Sequence, residues 1–105
     1  MVVMMSNNDR YNEALKIFQE FGPRRSLPIR ERWREAFPQV PPDVMDEWET
    51  EFKKLEEFAY DLAAKVQNSE LDDSDAYRML AERFRWLDRD RLDKTYSQAA
   101  YFVRK

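Results

Sequence analysis

The chain has no cysteine and no histidine, and only one glycine, Gly22, among its 105 residues. Without cysteine there is no disulfide scaffold, thiolate nucleophile or cysteine-bound zinc. That lack also fits a reducing compartment. Without histidine the commonest general base and transition-metal ligand are gone, and so are the Glu-x-x-His pairs of di-iron bundles. A single glycine rules out G-x-G-x-x-G and P-loop phosphate cradles. It also leaves little for tight β-hairpin turns, whereas helices do best without it. No run of residues approaches the ~18–20 apolar positions of a membrane span, and apolar Met1 to Met5 is too short for a signal-peptide core. These absences point to a cytoplasmic, all-α protein.

What is present is aromatic and charged. Aromatic residues make up 14% of the chain and charged residues 37%. Each aromatic buries a large area, so few core positions are needed. Disordered chains are poor in aromatics. A chain of this length fits one domain whose core needs neither disulfide nor metal. Residues 1–105 therefore read as a single helical domain, with 1–6 an extension or disordered.

Five helical patterns follow one another. Ser6 to Asp9 supplies N-cap residues, and Tyr11, Leu15, Phe18 and Phe21 form one apolar face. Gly22-Pro23 ends that helix. Pro28 is placed at N1 of a second helix bearing Ile29, Trp33, Ala36 and Phe37. Pro38 to Pro42 reads as a stiff, extended link. The third helix, expected from about 43 to 68, carries Val44, Trp48, Phe52, Leu55, Ala59, Leu62 and Val66 at intervals of three and four. Glu49–Lys53 and Asp61–Lys65 add favourable i,i+4 pairs. After an acidic turn, Ala76, Tyr77, Leu80, Ala81, Phe84 and Leu87 mark a fourth helix, with Met79 and Trp86 as its second apolar line. A break is expected at Asp88 to Asp90. Leu92, Tyr96, Ala99 and Val103 mark the fifth helix, where Ala99 and Ala100 permit close packing. The expected fold is all-α: a compact bundle of about five helices around a long third helix, with no sheet.

Charge is segregated along the chain. Residues 22–38 carry five arginines against two glutamates, and 41–75 carry three lysines against twelve acids. Residues 76–105 carry eight basic residues against four acids, and the whole chain is at −3. Carboxylates on facing helices can hold Mg²⁺ or Mn²⁺ for phosphohydrolysis, so Glu47, Glu51, Glu57 and Asp61 are weighed for that role. The helical E-E-x-x-E and E-x-x-D spacing is not met. Asp61 follows Glu56-Glu57 one position late, and Glu70-Leu71-Asp72-Asp73 falls in a turn. The acids read instead as a solvated face. No cofactor and no metal site is expected.

Two regions mix arginine with tryptophan. Arg24, Arg25, Arg30, Arg32 and Arg34 surround Trp33, and arginine forks bind phosphate or carboxylate bidentately. The region is a candidate nucleic-acid contact, against the alternative that Trp33 is core and the arginines pair with the acidic third helix. The second region holds Arg83, Arg85, Trp86, Arg89 and Arg91. It is a candidate anchor for a partner, because Trp and Arg dominate interface hot spots, and Phe102, beside Tyr101 near the C-terminus, is another. The leading expectation is a non-catalytic protein that binds another protein or itself, as a homodimer. A nucleic-acid accessory role through Arg24–Arg34 comes second and a carboxylate–Mg²⁺ phosphohydrolase third.

Overall fold

The computed structural model describes residues 7–20 and 27–104. Among these there are five helices and no strand: α1 (Asn7–Phe18), α2 (Ile29–Ala36), α3 (Pro42–Gln67), α4 (Asp73–Arg83) and α5 (Arg89–Arg104). The all-α expectation holds, and α3 is the longest element at 26 residues, about 39 Å of helix. The expected extension at 1–6 and the Phe21–Gly22–Pro23 stop lie outside the described residues. The chain's contacts gather into two compact units, residues 1–52 and 53–105.

The first unit holds α1, α2 and the start of α3. Its core is aromatic. The Trp33 ring meets Trp48 edge-on at 5.1 Å and Phe52 at 6.0 Å, and Phe18 stacks on it at 6.4 Å. Trp33, Trp48, Phe52, Leu15 and Met45 are fully buried. Burying an indole leaves an N–H that needs an acceptor. Trp33 Nε1 donates to the Ala14 carbonyl at 3.0 Å, which ties α2 to α1.

Prolines punctuate this unit. Pro28 is the N-cap of α2 in an extended conformation (φ −54°, ψ 140°), one position before the expected N1. Its carbonyl accepts from Glu31 and Arg32. Phe37 leaves the helix because it precedes Pro38, whose ring disfavours the α conformation for the residue before it. The Pro38–Pro42 segment contains a turn closed by Val40 N–H to the Phe37 carbonyl, so it is not the extended link expected. Pro42 then opens α3 at its first position, where the missing N–H costs nothing.

The second unit holds the rest of α3 with α4 and α5. Leu55, Ala59, Leu62 and Ala63 from α3 are buried, as are Ala76 and Leu80 from α4, Phe84 just beyond it, and Thr95, Tyr96 and Ala99 from α5. The α3 terminus is closed by two reversed hydrogen bonds. Glu70 N–H reaches the Lys65 carbonyl at 2.8 Å and Ser69 N–H reaches Val66 at 3.1 Å. This is the Schellman pattern, and it places Ser69 at φ 62° in the left-handed region usually filled by glycine. Tyr96 hydroxyl donates to Asp73 at 2.7 Å, pinning α5 to the first turn of α4.

The break between α4 and α5 falls earlier than expected. Helix α4 stops at Arg83, and Phe84 caps it while packing edge-on against Phe58 at 5.8 Å. Asp88 then starts α5, its carboxylate accepting the Arg91 N–H at 2.8 Å. That is an N-cap bond to N3. The chain must turn before this cap, so residues 84–87 connect two helices instead of extending α4. Trp86 sits in that connection and is not on a line with Met79 along one helix.

Candidate functional site

In the first unit the arginine region divides by position. Arg24 and Arg25 lie outside the described residues. Arg30 lies between two acids of α3: its Nε donates to Glu49 at 2.8 Å and its second amino group to Asp46. The bonds to Glu49 and then Asp46 hold the guanidinium above its ordinary pKa. Arg32 is 8% exposed, and one amino group caps the end of α1 through the Ile17 carbonyl at 2.9 Å. A cation on the last carbonyls of a helix also complements its dipole. Arg32 Nε is buried without a partner. Arg34 is exposed. Trp33 is 0% exposed and cannot offer a stacking face.

Two shallow depressions flank this core. One, about 250 Å³, is lined by Ile17, Glu20, Arg32, Glu35 and Ala36. The other, about 380 Å³, is lined by Tyr11, Asp46, Glu47, Thr50 and Glu51. Burial first, then the charges of Glu47 and Glu51, push the Tyr11 phenol above its ordinary pKa. The second depression is therefore negative as well as concave.

In the second unit Arg83 and Arg89 are exposed and Trp86 is half-buried. The Arg83 guanidinium lies 5.7 Å from the centre of the Phe84 ring, and Trp86 meets that ring edge-on at 6.4 Å. These residues occupy the α4–α5 corner. Phe102 does not join them: thirteen residues along α5 from Arg89, it is about 20 Å away. Phe102 instead lies beside Tyr101, ring centres 5.7 Å apart, with exposures of 46% and 61%. Tyr60 is a third exposed aromatic, at 49%. Its position off the α3 stripe was the signal for it in the sequence. Tyr101 is one residue from Phe102, a turn of about 100° on a helix.

The carboxylates stay apart. Glu47, Glu57 and Asp61 are exposed and Glu51 half-buried. No group of three or more Asp or Glu among the described residues is placed to hold a metal ion. Asp73 is engaged by Tyr96, and Asp72 takes the N-cap position of α4. No helix among the described residues is long and apolar enough to cross a membrane. No family model matches the chain, and no curated protein or solved structure matches it.

Proposed function

We propose that this chain is a non-catalytic protein that works by protein–protein contact, first with a second copy of itself as a homodimer. The observation that carries the reading is the exposed aromatic pair Tyr101 and Phe102 on α5. Large aromatics are enriched at interfaces and depleted from ordinary surface. The arrangement is deliberate in a physical sense, because the same chain buries Trp33, Trp48 and Phe52 completely. Segregated charge supports the reading by steering encounter between unlike faces. Without cysteine or histidine the chain lacks two of the commonest nucleophilic, proton-transferring and metal-binding side chains. Sedimentation equilibrium at micromolar concentration tests the dimer. A mass near twice 12.8 kDa supports it, and the monomer mass of 12.8 kDa refutes it.

A further inference from the structure

The α4–α5 corner is built on a β-turn. Leu87 N–H donates to the Phe84 carbonyl at 3.0 Å, so Arg85 and Trp86 are its two central residues. Proline, glycine, asparagine and aspartate suit such positions for backbone reasons. A tryptophan there serves none of them. Trp33 and Trp48 are fully buried, so Trp86 is the one tryptophan that reaches solvent. It meets the buried Phe84 ring edge-on, and the Arg83 guanidinium lies 5.7 Å from the centre of the same ring.

Three arginines surround the turn. Arg83 ends α4, Arg85 sits in the turn and Arg89 begins α5, and all three are exposed. Arg30 and Arg78 are each held by two carboxylates. No ion pair among the described residues involves Arg83, Arg85 or Arg89, although the whole chain has 21 acids to 18 basic residues. The turn brings its ends within about 7 Å, which keeps the Arg83 and Arg89 backbones within about 18 Å of each other. An extended segment of about five residues spans that length. Arginine forks bind carboxylates bidentately, and Trp and Arg are the side chains that dominate interface hot spots. Asp88 and Asp90 interrupt the basic sequence. A phosphodiester strand, charged at every unit, would meet those acids as well. Carboxylates on a peptide can be spaced to meet the arginines and avoid the two acids.

We propose that the α4–α5 corner binds a short acidic segment of another protein, with an apolar side chain on Trp86 and carboxylates on Arg83, Arg85 and Arg89. This goes beyond the self-contact at Tyr101 and Phe102 and does not depend on it. A monomer mass in sedimentation would remove the homodimer and leave the corner standing.

The test uses the full chain and a fluorescein-labelled Glu-Glu-Leu-Glu-Glu peptide followed by anisotropy, with circular dichroism to confirm that each variant is folded. The peptide binds at about 0.01 M salt and is released towards about 1 M, as the screening length falls from about 30 Å to about 3 Å. Trp86→Ala weakens binding about tenfold or more, and Arg83→Gln/Arg85→Gln/Arg89→Gln abolishes it. Lys16→Gln/Arg34→Gln/Arg104→Gln, which changes the net charge equally at other exposed positions, binds like the wild type. Unlabelled peptide also shields Trp86 from quenching by iodide. Equal loss in both triple variants would reduce the corner to bulk charge and overturn the proposal, as would no peptide binding at low salt. An oligothymidylate of the same length that binds through the three arginines more tightly than the peptide would assign the corner to nucleic acid. A corner variant with an altered sedimentation mass would assign it to a second copy of the chain. Either of these outcomes also overturns the proposal.

Discussion

Replacing Ser69 by glycine should make the protein more stable, although it removes a side chain. Ser69 holds φ 62° as the residue that closes α3. For an L-residue the left-handed conformation costs roughly 1–2 kcal/mol through the clash of Cβ with the backbone. Glycine escapes that clash but gives up roughly 0.5–1 kcal/mol of chain entropy on folding. The difference leaves Ser69→Gly more stable by about 0.5–1 kcal/mol. Both reversed hydrogen bonds, Glu70 to Lys65 and Ser69 to Val66, use backbone atoms and survive the change. At about 4–8 °C per kcal/mol for a small domain, the melting temperature rises by about 2–8 °C. Urea unfolding followed by far-ultraviolet circular dichroism gives the free energy directly, with Ser69→Ala as the control. Alanine keeps the Cβ and so keeps the strain, and it should fall within about 0.5 kcal/mol of the wild type. A Ser69→Gly variant no more stable than Ser69→Ala would refute the strain account.

Three further outcomes follow from the same contacts. The Tyr96 phenol is held above its ordinary value, first by burial and then by its bond to Asp73. The stabilisation is therefore whole below the unfolded value near pH 10 and is lost as pH rises beyond it. Tyr96→Phe should cost about 1.5–3 kcal/mol at neutral pH and flatten the alkaline decline; an equally steep decline in urea midpoints above pH 10 would argue against it. Arg30 and Glu49, about 28% and 29% exposed, should show a coupling of about 0.5–1 kcal/mol in a double-mutant cycle. A coupling of zero would mean the pair only decorates the surface. Asp88→Ala removes the cap of α5 and should cost about 1 kcal/mol, with amide exchange quickening first at Arg91; uniform exchange along α5 would contradict a local cap.

The helices could be read from the sequence where side-chain spacing and backbone geometry agree. In α3 the Trp48, Phe52, Leu55, Ala59 and Leu62 stripe repeats every three or four residues, and all five are buried. The break before α5 was placed late because Phe84 and Leu87 prolong the apolar spacing of α4. Spacing records which residues are apolar and is blind to Phe84 leaving the helix to reach Phe58. The arginines show a similar limit. Pairing of Arg30 with α3 follows from opposite charge and was open to view in the sequence. Burial of Arg32 was not, because it depends on where the α1 carbonyls end. Phe102 stands out in the sequence by type, but its exposure depends on which side of α5 meets the core.

The boundary between the two packed units falls between Phe52 and Lys53, inside α3. A cut there would strand four carbonyls on one fragment and four N–H groups on the other. The chain is thus divisible by packing but not by scissors. Dissecting its functions will require point changes in the full chain, since neither half is a natural fragment to express.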